Sequence, residues 1–318
     1  MESTLAHAPD PDADVEPVSI AMPRLGPIAA SLWSVPGARG IVLVHPGTAV
    51  TQRFYAPFAR YLAGLGFCVL TYDYRGTGRS RPASLKGYDI TMADWMDDDV
   101  GAVTRWAAAR FPALPMLAVG HSLGGHALAL SAQSNRLRAA VMVASHAGVT
   151  AMVSGLVERM RVWLVMRLLA PVLCALNGYM PGRKVGLGED LPRGVMLQWS
   201  RWTTLPRYFF DDPAMDARAR MARVRIPLLV LGFDDDPWAN PRAIGMLIGP
   251  LVGASIERRQ IAPRDAGLTA IGHMGFFRKQ SAQRLWPQLG DWLLEQAGSA
   301  GPQAGGGARE ASPHRAAP

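Results

Sequence analysis

Five short apolar runs punctuate the chain: Ile41–Val44, Cys68–Tyr72, Met116–Val119, Ala140–Ala144 and Leu228–Leu231. Runs this short, with little polar alternation, predict strands covered on both faces, as inside a parallel sheet. Between them the apolar spacing becomes helical, at Tyr55–Leu65, Asp94–Arg110 and Gly124–Asn135. This alternation predicts an α/β fold: a mostly parallel central sheet, helices on both faces, and functional residues at the carboxyl ends of strands.

Residues 148–212 break the rhythm. They hold a helical run, Val153–Leu176, then a Gly/Pro-punctuated loop at 177–194, then Trp199 and Trp202, with no strand pattern. The expected organisation is a core at 17–147 and 213–296 with a helical cap, 148–212, inserted into it. An arm (1–16) rich in Pro, Asp and Ala and a tail (297–318) without apolar periodicity are expected to be disordered. Within the cap, Arg161, Arg167, Pro171 and Pro181 interrupt the apolar run. The longest uncharged stretch, Leu168–Gly182, falls short of the ~20 residues a membrane span needs. A lid with a greasy face is expected, and no stable membrane insertion.

Composition adds limits. Of 318 residues, 49% are hydrophobic and 18% charged, which is globular rather than disordered or fibrous. The two cysteines, Cys68 and Cys174, sit in apolar runs and read as buried free thiols, not as a disulfide scaffold. The acidic N-terminus has no apolar leader segment, so the expected location is cytoplasmic. Net charge is +8, but 30 of the 33 basic residues are arginines, scattered with no run beyond a pair. That argues against a nucleic-acid partner. A homo-oligomer is left open.

The chemistry begins at Gly120-His121-Ser122-Leu123-Gly124, which reads G-x-S-x-G directly after a strand and before a helix. Such a turn lifts the serine oxygen above the sheet with a helix N-terminus beneath it. A serine nucleophile needs a base, and the base needs an orienting carboxylate. His273, in the Gly-flanked loop before the last helix, is the expected base. The acid is expected after the strand Leu228–Leu231, where Asp234, Asp235 and Asp236 compete. Spacing from Gly232 (G-x-x-D) favours Asp235, the Asp-Pro step favours Asp236, and Asp234 stays open. Oxyanion donors are expected at the backbone amides of Leu123 and, from the turn after Ile41–Val44, Thr48, with Ala49 one step away. His45 is read as supporting that turn, and His126 and His146 as structural, with pocket lining the alternative for His146. Trp199, Trp202 and Trp238 either pack the cap or shape an acyl pocket.

Together these residues resemble the α/β-hydrolase superfamily over about residues 19–296. Asp73-Tyr74-Arg75-Gly76-Thr77-Gly78-Arg79-Ser80 matches its D-x-R-G-x-G-x-S loop. The segments around Gly178–Pro192, Trp199–Trp202, Asp235–Trp238 and Ile271–Phe277 resemble a poorly characterised bacterial subgroup filed as predicted hydrolases or serine-aminopeptidase-like proteins. The resemblance implies Asp235 as the acid and no metal or organic cofactor. The serine excludes the branches that carry Asp at the elbow. The expected activity is carboxylic-ester hydrolysis on a small-molecule or lipid-like acyl substrate through an acyl-enzyme, catalysed by Ser122, His273 and Asp235. Amidase or aminopeptidase action and acyl transfer use the same groups, and a non-catalytic binding module is the outlying alternative.

Overall fold

In a computed structural model, which describes residues 15–298, ten strands are present. They are β1 (Val15–Ile20), β2 (Ile28–Trp33), β3 (Ile41–His45), β4 (Cys68–Tyr72), β5 (Met116–His121), β6 (Ala139–Val143), β7 (Tyr179–Met180), β8 (Leu191–Pro192), β9 (Leu228–Phe233) and β10 (Ile256–Ile261). Eight form one sheet in the order β1-β2-β4-β3-β5-β6-β9-β10. From β4 to β10 all neighbours are parallel, while β2 runs antiparallel to β1 and β4.

The five apolar runs are the interior strands, and every residue of β3, β4, β5, β6 and β9 is buried. Helices Gln52–Gly64, Leu123–Leu130, Pro241–Ile248 and Ala282–Gly298 and the helical segment 92–110 flank this sheet. Of the three strands without a long apolar run, β1 and β10 are the edges and β2 lies next to β1. β1 carries Pro17, which an edge strand tolerates because one side needs no donor. β10 (IERRQI) turns Glu257, Arg258 and Gln260 outward or sideways. β1 begins two residues inside the expected arm, pairing Val15 with Trp33, and the last helix runs through Gly298, two residues into the expected tail. The rest of both expected disordered ends lies outside the described residues.

Between β6 and β9 no strand joins the main sheet. This segment holds a 22-residue helix, Leu156–Asn177, with one wider π turn at Val165–Leu169. The small β7–β8 hairpin and the helix Arg193–Thr204 follow. The Ser200 hydroxyl donates to the Met166 carbonyl, joining these two helices. Trp202 is fully buried and donates to Asp212, so it packs inside this segment. Both cysteines are buried and free.

Candidate active site

The functional groups gather where the parallel strands end. β5 leads into Ser122, whose backbone is left-handed (φ 52°), and the helix Leu123–Leu130 starts at the next residue. A non-glycine residue pays about 1–3 kcal/mol for such a conformation. The surroundings hold it there: the Ser122 amide donates to Val143 O at 2.9 Å and Gly125 N donates to Ser122 O at 3.0 Å. The glycines of the motif are needed for close approach rather than for unusual φ. A Cβ on Gly120 would overlap the Gly124 backbone, and one on Gly124 would overlap the carbonyl oxygen of His45.

Ser122 Oγ lies 3.0 Å from His273 Nε2, and His273 Nδ1 donates to Asp236 Oδ2 at 2.7 Å. The carboxylate on the imidazole is therefore Asp236, and the expectation of Asp235 is corrected. The physical reason is a tight turn after β9, closed by Asp236 N donating to Phe233 O at 3.2 Å. The turn carries Asp236 inward, where it is 1% exposed, and leaves Asp234 and Asp235 outside. Asp235 instead accepts the amides of Ile271 (2.8 Å) and Gly272 (2.9 Å), gripping the backbone of the loop that presents His273.

Asp236 Oδ1 is occupied by the amides of Trp238 and Ala239, at 2.9 and 3.1 Å, so only Oδ2 faces the imidazole. Burial pushes the Asp236 pKa up, but the hydrogen bond and charge of His273, with smaller help from His146 and the Ala239 amide, hold it below the ordinary value. With Asp236 ionised, Nδ1 carries the proton and Nε2 is left to accept the serine hydroxyl.

A second histidine locks the arrangement from below. Gly47 N–H donates to Tyr55 Oη at 2.8 Å, Tyr55 O–H to His121 Nδ1 at 2.8 Å, and His121 Nε2–H to the His273 carbonyl at 3.0 Å. This chain of donors requires His121 to be neutral, and burial lowers its pKa to about 3. His121 and Tyr55 thus tie the turn after β3 to the His273 loop. The sequence motif carries no sign of this role, because the Tyr55 partner comes from a helix 66 residues away.

The same link occupies the Gly47 amide, leaving Thr48 and Ala49 as the next donors of that turn. Thr48 and Leu123 both line the cavity beside Ser122. Leu123 N is at the first turn of its helix, where no intrahelical acceptor exists. Among the described residues the Thr48 amide has no acceptor. Ala49 is left-handed (φ 61°), and its carbonyl accepts Glu189 N at 3.0 Å from the β7–β8 connection. His45 is fully buried, bonded to Tyr72 Oη at 2.8 Å, and made neutral by burial, its pKa lowered to about 3.

Over Ser122 lies a cavity of about 570 Å³, within the range that buries a medium-sized organic ligand. Its wall is largely apolar, with Val149, Val153, Val162, Val165, Met166 and Leu187 supplied by the segment between β6 and β9. Trp199, Trp238, His126 and His146 also line it, and Trp202 does not. His126 donates to the His146 carbonyl at 2.7 Å, and the His146 ring stands edge-on to that of His273, 5.4 Å away. The Trp238 ring lies 4.9 Å from the His273 ring on another side. Among the described residues no group of three or more His, Cys, Asp or Glu could hold a metal ion.

A family model described as serine aminopeptidase, S33, matches residues 36–192, just under half of the chain. Among solved structures, a soluble variant of monoglyceride lipase from Saccharomyces cerevisiae aligns with a TM-score of 0.65 at 15% identity, covering 93% of this chain and 100% of its own. The chain has the α/β-hydrolase fold. Other α/β-hydrolases align over similar lengths. A monoacylglycerol lipase from Paleococcus ferrophilus gives a TM-score of 0.56 at 15% identity, covering 85% of this chain and 99% of that one. An esterase from Pyrococcus furiosus gives 0.59 at 12%, covering 90% and 92%. No curated protein sequence matches.

Proposed function

We propose that this α/β-hydrolase is a serine esterase that cleaves an acyl ester of medium or long chain through an acyl-enzyme. One observation carries the reading: Ser122 Oγ, His273 Nε2 and Asp236 Oδ2 form a continuous hydrogen-bonded row, 3.0 and 2.7 Å, at the floor of an apolar cavity. In this reading Ser122 attacks the ester carbonyl while His273 takes its proton, and Asp236 stabilises the imidazolium. The Leu123 and Thr48 amides receive the charge on the tetrahedral oxygen. The imidazolium then protonates the departing alcohol, and water, deprotonated by His273, releases the acid from Ser122. Asp235 acts as a positioning residue for the His273 loop.

Aminopeptidase action needs an acid free to bind a substrate amine, and the acids of the cap are already engaged. Glu189 pairs with Arg183 at 2.7 Å, Asp190 with Arg81 at 2.6 Å, Asp211 with Arg207 at 2.7 Å, and Asp212 accepts the Trp202 indole at 2.7 Å. This supports an ester over a peptide N-terminus. The test is hydrolysis of p-nitrophenyl esters of increasing chain length, and of monoacylglycerols, beside amino-acid p-nitroanilides and the Ser122→Ala variant. Turnover of longer esters that disappears in Ser122→Ala is expected. Activity confined to acetyl esters rejects the acyl pocket, and anilide turnover exceeding ester turnover rejects the esterase.

A further inference from the structure

The outer face of the Leu156–Asn177 helix is unlike any other surface of this protein. Nine of the eleven exposed large hydrophobic side chains among the described residues lie on it. Val157, Met160, Leu164, Leu168, Val172 and Leu176 recur every three or four residues and form an outward stripe. Val157 is 82% exposed and Leu176 77%. Only 17% of the helix's apolar window is buried. The opposite side of the same helix supplies Val162, Val165 and Met166 to the cavity wall. An apolar helix face of this extent marks an interaction surface.

Charge selects the partner. Arg159, Arg161 and Arg167 are interspersed with the apolar residues and exposed, against a single acid, Glu158, which is half-buried. Arg161 remains 63% exposed even while paired with Glu158. Two copies of this face meeting about a two-fold axis would bring like charges together in a dry interface. Anionic headgroups instead neutralise the arginines while the acyl region takes the apolar stripe. At 22 residues the helix is long enough to span a bilayer by length alone. However, Met166, Ala170 and Cys174 are buried in the body of the protein, so the second half of the helix is bound to its own domain.

We propose that Leu156–Asn177 lies flat in the interface of an anionic phospholipid membrane, with its outward stripe among the acyl chains and its arginines at the phosphates. The cavity over Ser122 then sits directly beneath the membrane-facing helix, one helix diameter from the lipid. The proposal rests on the cap surface and not on which bond the site cleaves, and its test reads no turnover, so the two can fail separately.

The experiment is flotation of the full chain with phosphatidylcholine vesicles, with and without phosphatidylglycerol. It is repeated for the triple variant Val157→Gln, Leu168→Gln, Val172→Gln, and for Arg167→Gln. All four positions point outward, and circular dichroism checks that the helix content is kept. Wild type is expected to float with the mixed vesicles, and the triple variant to partition at least about tenfold less. Arg167→Gln is expected to weaken binding to the mixed vesicles only. Brominated lipid chains are expected to quench a tryptophan signal that Trp163→Phe removes, a readout independent of the triple variant's folding. The proposal is overturned if wild type does not float, if the triple variant floats equally well, or if phosphatidylglycerol makes no difference. A wild-type dimer by light scattering that the triple variant dissociates, without flotation, assigns the face to a second copy instead.

Discussion

At the carboxyl end of the sheet Ser122, His273 and Asp236 are cross-tied by hydrogen bonds, whereas the outer helix Leu156–Asn177 is held mainly by packing along one side. Asp236 accepts three hydrogen bonds, and His121 links two loops that converge on Ser122. The Leu156–Leu164 stretch of the cap contributes no buried residue at all. The contrast fits a division of labour. Reacting atoms must be fixed to fractions of an ångström, while a surface that meets a disordered partner needs only apolar area and charge.

The sharpest way to test the fixed region is to separate its neighbouring aspartates. Asp236→Asn keeps the shape but removes the charge beside His273, and kcat for an ester is expected to fall on the order of 10⁴-fold. Asp235→Asn disturbs only the grip on the Ile271 and Gly272 amides, and a loss within about tenfold is expected, in line with a positioning role. Steady-state kinetics of the two variants check this. Equal losses would mean that loop position and imidazole charge cannot be distinguished here.

A glycine in each region extends the comparison to stability. Gly124→Ala drives a methyl into the His45 carbonyl, with backbone on both sides, and is expected to cost about 4 kcal/mol or more. Gly155→Ala, at the start of the outer helix, meets nothing within 4 Å; only its backbone at φ 78° and ψ 130° is penalised, at about 1–3 kcal/mol. Urea unfolding of both variants measures the difference. Similar losses would show that the cap is as tightly determined as the sheet top.

Acid should loosen the same region. His45, His121 and His126 have pKa values lowered to about 3, and His146 to about 4, each chiefly by burial. In the unfolded chain these groups bind protons near 6.5, so their contribution is complete above that pH and is lost as pH falls toward 3–4. At pH 5 the loss is about 2 kcal/mol for each. Asp99, raised by burial to about 7 although Arg75 opposes the shift, acts in the other sense, favouring the fold as pH falls from 7. Four histidines outweigh one aspartate, and stability should decline from pH 7 to 5. His45→Gln should flatten that slope in denaturant titrations, and a flat wild-type profile would contradict the neutral histidines.

What the sequence made legible follows from how local each signal is. The interior strands and the serine elbow were readable because an apolar run, or five adjacent residues, carries the whole message. Edge strands β1 and β10 were missed because a half-exposed strand mixes Pro17 or Arg258 into its pattern, and β2 because Ala29, Ala30 and Ser31 dilute its apolar run. The acid was misplaced by one residue because linear spacing from Gly232 does not reveal which aspartate a turn points inward. The Asp-Pro step was the available signal, since proline holds the preceding residue extended. The Tyr55–His121 link was invisible because its parts meet only in the folded chain. In the cap, the helix was expected, but its outward apolar stripe depended on which side the body would cover.

The smallest expected effect concerns a polar tie from the outer helix to the proposed catalytic groups. Glu158 accepts the Trp238 indole N–H at 2.8 Å, and Trp238 packs on His273 while its amide holds Asp236. Glu158 is also gripped by Arg161 at 2.7 and 2.8 Å, and this bond, ahead of opposing burial and a lesser contribution from Trp238, keeps its carboxyl below the ordinary range. An exposed i,i+3 pair of this kind contributes about 0.3–0.5 kcal/mol. Glu158→Gln retains an acceptor for the indole and is expected to cost no more than that, with ester turnover unchanged. Glu158→Ala removes both partners, and a loss of about 1 kcal/mol with kcat within threefold is expected, because the Asp236 and His121 contacts fix His273 without the cap. Denaturant unfolding and kinetics on a short water-soluble ester decide it. A hundredfold fall in kcat for Glu158→Ala would show instead that the cap helix positions the imidazole through Trp238, and that the cap and the sheet top work as one rigid unit.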